Sequence, residues 1–274
     1  MVETVASPRP SLVALAASSL LALAACQREP TAASAPVAEP AQTPVVTVAP
    51  APILDRASLL QAMDIAASAF AAGQEVAGAS LAGRRFVVRQ AFGCGGPAVN
   101  RPSQAGLATV TWSEDRESAK MTLTLTPDDW SQSALIAGDA ETWEAAEGFW
   151  LAHPWLRVDG CPVVQGPASP KAPSANQTVG LAAVFKEGGS RTVRRNGRAY
   201  EATLRAEGAQ ALMPSAQGYR LVLEGRMTAF ADGRAIRCRA VDADQRPVCI
   251  GAVQLDRVAF EDSEGKTLSE WREG

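Results

Sequence analysis

Apolar positions change their spacing several times along the chain. Residues 11–25, SLVALAASSLLALAA, are continuously small or apolar and uncharged. Residues 27–52 show no period and are interrupted by Pro30, Pro36, Pro40, Pro44, Pro50 and Pro52. A helical spacing then begins. Leu59, Leu60, Met63, Ala66, Ala67 and Phe70 share one face, with Asp55 placed to cap the start and Gly73 to end it at C′. From residue 83 the period becomes two, the signature of strands with one buried face.

The period-two segments predict a mostly antiparallel protein. Residues 83–92 read as a strand, and 106–112 and 119–126 as a hairpin around SEDRES. Met121, Leu123 and Leu125 alternate there with Thr122, Thr124 and Thr126. Thr126-Pro127-Asp128-Asp129 has the form of a helix start, and 139–150 of a second short helix. A Pro-rich stretch at 162–178 reads as a long loop or joint. Beyond it, strands are expected at 179–185, on either side of the Asn196-Gly197 turn, at 218–230 and 234–241 flanking Asp232-Gly233, and at 247–260. The fold class is therefore α+β: one N-terminal helix, then an antiparallel sheet or sandwich, in two lobes if 162–178 is a true joint (53–161 α+β, 179–274 antiparallel β).

The apolar run at 11–25 is short for a membrane span of about 20 residues and fits the core of an export signal, with Arg9 before it. It ends in Leu23-Ala24-Ala25-Cys26. This resembles the lipobox of bacterial lipoproteins, and the resemblance covers residues 1–26 only. It implies that signal peptidase II removes residues 1–25 and that Cys26 carries a diacylglycerol and an acylated amine. Several acyl chains make attachment effectively permanent where one would be marginal. Gln27 rather than Asp follows Cys26; in Gram-negative lipoproteins Asp there marks retention at the inner membrane. The resemblance thus implies an outer-membrane anchor with the domain in the periplasm. Residues 26–52 form the lipidated Cys and an Ala/Pro-rich linker, which spans on the order of 80 Å when extended.

Composition narrows the function. The chain has 274 residues, 47% of them hydrophobic, which is enough for a core. A net charge of −3 argues against a nucleic-acid partner, and one His excludes a poly-His metal site. The sequence holds no G-x-S-x-G, P-loop, G-x-G-x-x-G or H-E-x-x-H motif, so no cofactor is expected. Asp242-Ala243-Asp244 lacks the rest of a calcium loop.

Four cysteines remain after Cys26: Cys94, Cys161, Cys238 and Cys249. In an oxidising compartment an even number reads as two bridges, with three possible pairings. Cys238 and Cys249 fall on adjacent expected strands, and pairing them leaves Cys94 with Cys161. That choice keeps each bridge on its own side of 162–178. The competing reading makes Cys94 a nucleophile with His153 as its base.

Two clusters are candidates for binding. Trp150, His153 and Trp155 crowd one segment, where flat rings could stack on sugars or on a partner, or could fill the core. Arg194, Arg195 and Arg198, with Arg191 and Arg205, surround the Asn196-Gly197 turn and could meet phosphates, acidic glycans or an acidic protein, or could simply guard an edge. The sequence thus points to a lipid-anchored envelope protein whose β-rich domain binds an envelope protein or the cell-wall polymer, or serves structurally. A periplasmic hydrolase of cell-wall glycan or peptide is the alternative, although no carboxylate pair stands out.

Overall fold

The computed structural model describes residues 51–74, 81–97, 104–114, 119–136, 143–163, 177–186, 194–206 and 212–272. Cys26, the residues expected to form an export signal, most of the expected linker and most of the 162–178 stretch lie outside these residues. The chain opens with helix α1 (Arg56–Ala71). Asp55 accepts from the Ser58 N–H at 2.8 Å, and Gly73 takes φ 67° just beyond the helix, so both expected ends are in place. Leu59, Leu60, Met63, Ala66 and Ala67 are buried, while Phe70 is 41% exposed. Among the described residues no helix is long and apolar enough to cross a membrane.

Among the described residues eleven strands follow: β1 (Arg85–Phe92), β2 (Ala108–Glu114), β3 (Ala119–Leu125), β4 (Asp128–Asp129), β5 (Trp143–Trp150), β6 (Val179–Lys186), β7 (Tyr200–Arg205), β8 (Tyr219–Met227), β9 (Ile236–Arg239), β10 (Val248–Glu261) and β11 (Thr267–Arg272). They form an eight-stranded sheet with the path β1-β8-β10-β6-β5-β4 and a three-stranded sheet β2-β3-β7. The α+β class holds: among the described residues there are one helix, mostly antiparallel strands and two disulfides.

The 14-residue β10 organises the large sheet. One of its edges takes β9 at Val248–Gly251 and then β8 from Val253 to Glu261. The other takes β6 at Cys249–Val253 and then β11 from Arg257 to Glu261. The β6 pairing is parallel, an exception to the antiparallel expectation. Along β10, Gly251, Val253, Leu255, Val258 and Phe260 lie toward the main core, which they share with α1 and the three-stranded sheet. Ile250 and Ala252 point to a second cluster on the opposite face, with Trp130, Ile136 and Phe230.

Several sequence expectations need correction. Residues 143–150 form β5, not a helix. Ala and Glu favour helix locally, but Ala145 and Phe149 enter one core cluster and Ala146 the other, so both faces are covered and no alternation is visible. The acids at 128–129 start no helix. Their backbone pairs with Gly148 and Glu147, Asp128 accepts from the Trp130 indole N–H at 2.9 Å, and Asp129 accepts from the Ser131 N–H at 3.0 Å. Asn196 and Gly197 do take positive φ (52° and 77°), but the turn lies between β6 and β7, which belong to different sheets. Asp232-Gly233 likewise separates β8 from β9, which follow one another along β10 instead of pairing together. A final strand, β11, lies beyond the expected end at residue 260.

The two-lobe arrangement is also corrected. β1 pairs with β8, β3 with β7 and β5 with β6, so strands from before and after 162–178 pair with one another in both sheets. Residues 49–274 form one compact unit.

Candidate functional site

Residues 151–163 have no regular structure, yet they are fastened at four points. Gln90 on β1 is buried, donating to the Trp150 carbonyl at 3.2 Å and accepting from the Ala152 N–H at 2.9 Å. Arg56, only 2% exposed, fans across the next turn. Its Nη2 donates to the carbonyls of Ala152 and His153 at 2.6 and 3.0 Å, and its Nε to that of Leu156 at 3.0 Å. Arg157 pairs with Asp64 on α1, which also binds Arg246 from the segment before β10. Cys161 is bonded to Cys94, with Cα atoms 5.7 Å apart.

This scaffold holds Trp155 outward. Its side chain is 59% exposed, with Val158 at 61%. The His153 and Trp155 rings meet edge to face at 5.3 Å and 86°. His153 has φ 51°, a left-handed conformation unusual for a residue with a Cβ, and the Leu156 N–H closes the turn on its carbonyl at 2.8 Å. Burial, with the Arg56 cation behind it, pushes the His153 imidazole below its usual range, which favours the neutral ring at pH 7. A neutral imidazole beside an exposed indole can offer hydrogen bonds and a stacking face together.

The structure separates the other candidates. Trp150 stands in contact with Trp130 at 4.6 Å, and Gly106 and Gly180 leave the room its indole occupies, so it is a packing residue. Cys94 is bridged and cannot serve His153 as a nucleophile. Cys238 and Cys249 face each other across β9 and β10 and are bonded, completing the preferred pairing.

The arginines divide as well. Arg194 pairs with Glu144 at 2.9 Å and lies near the Phe185 ring. Arg195 sits 4.9 Å from the Tyr200 ring centroid and donates to the Ala199 carbonyl. The Asn196-Gly197 turn that follows them is held by buried Glu147, whose Oε1 accepts from the N–H groups of Arg195 and Asn196, both at 2.8 Å. Arg198 is exposed and folds back, its Nε donating to the Arg195 carbonyl at 3.2 Å. Arg191 lies outside the described residues. Asp242 is engaged locally, accepting from the Asp244 N–H at 2.9 Å.

Sequence reasoning missed Arg56, Gln90 and Asp64. Arg56 did carry a signal. A cation in the first turn of a helix opposes the macrodipole, so its place has to be explained by something beyond the helix. Gln90 and Asp64 stand in ordinary polar positions of a strand and a helix and carry none. Comparison with protein-family models, curated proteins and solved structures finds no match to this chain.

Proposed function

We propose that this is a lipid-anchored cell-envelope protein, attached through Cys26 to the outer membrane, whose β-rich domain binds cell-wall glycan in the periplasm through residues 151–158. The observation that carries the binding half is the exposure of Trp155 on a fastened loop. A large aromatic at 59% exposure, held in place by buried Arg56 and a disulfide, supports recognition because its ordering is complete before a ligand arrives. An indole face with an adjoining imidazole suits a sugar ring. The anchoring half rests on Leu23-Ala24-Ala25-Cys26.

Two measurements test the halves separately. Mass spectrometry of the mature protein is expected to find an acylated N-terminal Cys26, and an unmodified Cys26 overturns the anchor. Soluble muropeptides are expected to change the Trp emission of the wild type and not of Trp155→Phe. Emission unchanged at saturating muropeptide, or changed equally in both proteins, overturns the glycan reading.

A further inference from the structure

The 151–158 loop is fastened to α1 at two places. Arg56, in the first turn of the helix, holds the carbonyls of Ala152, His153 and Leu156, and Asp64 farther along meets Arg157. These places lie eight residues apart, about 12 Å along the helix axis. Trp155 belongs to the Arg56 end, because the turn that carries it closes from the Leu156 N–H to the His153 carbonyl. The Asp64 end is basic.

There Asp64 Oδ2 accepts from Arg157 and Oδ1 from Arg246, each through Nη2. One carboxylate thus faces two guanidinium groups, and among the described residues neither arginine meets a second carboxylate. Asp242, close to Arg246 in sequence, is turned into its own loop on the Asp244 N–H. A guanidinium carries five donors, so most of this pair's capacity is unspent. Nη1 of Arg157 is buried without a hydrogen-bond partner among the described residues, and so is Nη1 of Arg56. Burial disfavours the Arg56 cation, Asp159 favours it and Arg157 opposes it again, so the two guanidinium groups sense one another. The side chains of Arg157 and Arg246 are 39% and 47% exposed, which leaves both open to a ligand.

We propose that the glycan taken by the 151–158 loop is an acidic one, and that Arg157 and Arg246 bind its carboxylate while a sugar ring stacks on Trp155. This rests on sugar binding at Trp155 and adds the charge of the ligand to it. A carboxylate suits the pair because Asp64 already sets one oxygen on each guanidinium. Planar forks take a further carboxylate on the edges that Asp64 leaves open, and each such bond is charge-assisted. The spacing of about 12 Å between the two ends calls for a ligand with its sugar and its acid on separate units. A glycan carrying an acidic peptide stem has that form.

The probe is a muropeptide whose peptide stem carries free carboxylates, titrated calorimetrically into the purified protein beside the same muropeptide with those carboxylates amidated. We expect the acidic form to bind about tenfold tighter, and the gap to narrow as salt is raised. Arg246→Gln is expected to weaken the acidic form about fivefold and to leave the amidated form and the melting temperature unchanged. Trp155→Ala is expected to weaken both forms alike. Equal affinity of the two forms for the wild type overturns the acidic preference and leaves the sugar site standing. An Arg246→Gln protein that keeps the full gap, or weakens both forms equally, overturns the preference too. Wild-type affinity in Trp155→Ala overturns the pairing of the two subsites. Binding of neither form overturns the preference and the glycan site together.

Discussion

Replacing Arg56 by Met removes the clamp on the 151–158 turn while keeping most of the side-chain volume. Three carbonyls lose a donor, those of Ala152, His153 and Leu156. At about 1 kcal/mol for each orphaned acceptor, the loss is about 3 kcal/mol. The guanidinium is itself strained by burial, which pushes its pKa down against the favourable charge of Asp159. Relief of that desolvation returns about 1 kcal/mol. Release of His153 from its left-handed backbone relaxes the turn but also frees it to disorder, and the two effects oppose each other. The net destabilisation expected is about 2 kcal/mol.

For a domain of this size that corresponds to a drop in melting temperature of about 4–8 °C. Urea unfolding followed by circular dichroism measures the free energy, with the slope expected to be unchanged. Acrylamide quenching localises the effect. Arg56→Met should raise the quenching of Trp155 in the wild-type background and leave Trp155→Phe protein unaltered. Arg56→Lys keeps the charge but cannot spread donors over three carbonyls, and should recover less than half of the loss. A Met variant within 0.5 kcal/mol of wild type would refute the reasoning, because the desolvation cost would then equal the worth of all three bonds.

Removal of the Cys94–Cys161 bridge, with a sequence separation of 67, should cost about 4 kcal/mol, against about 3 kcal/mol for Cys238–Cys249, with a separation of 11. Denaturation of the two double Cys→Ala variants checks the order, and a larger loss from the shorter loop counts against the entropic account. Burial pushes the Glu147 carboxyl above its usual range despite the two N–H donors on it. Its contribution to stability is therefore fully present below the unfolded value of about 4.3 and is lost as pH rises through the folded one. Glu147→Gln, which retains an acceptor for Arg195 and Asn196, should exceed wild-type stability at pH 7 and converge with it near pH 4; a gap independent of pH contradicts the desolvation assignment.

What could be read from the sequence was local. The limits of α1 follow from Asp55 and Gly73, and the β2–β3 hairpin from alternation on either side of a polar turn. Both disulfides followed from counting cysteines and from the position of Cys238 opposite Cys249. What could not be read was set at long range. β5 is covered on both faces, which erases the alternation that marks a strand. Gly148 and Gly180 lie under the Trp130 indole, where a Cβ would come within 2.1 and 2.5 Å of ring atoms. Only the assembled sheet shows why glycine stands there. The edge sharing of β8 and β9 along β10 is likewise a property of the partner strand and not of either segment. The ring-rich segment at 150–155 was visible as a cluster, but its division into packed Trp150 and exposed Trp155 was not, since each is followed by Leu and the two lie five positions apart.

That division bears on how the loop can work. Trp130 and Trp150 are held by glycines on neighbouring strands, so their burial is fixed by the sheet. Trp155 follows Pro154 and the left-handed His153, and the chain there is directed outward by Arg56. One buried side chain therefore serves both the stability of the turn and the presentation of the indole. A ligand for Trp155 meets a loop already ordered, and the entropy that binding would otherwise cost has been met in folding. Stability and affinity should then fall together in Arg56→Met. They should separate in Trp155→Ala, which removes the exposed face and leaves the clamp intact. If Arg56→Met lowers stability and leaves muropeptide affinity at its wild-type value, the clamp supports the fold alone and pre-organisation has no part in recognition.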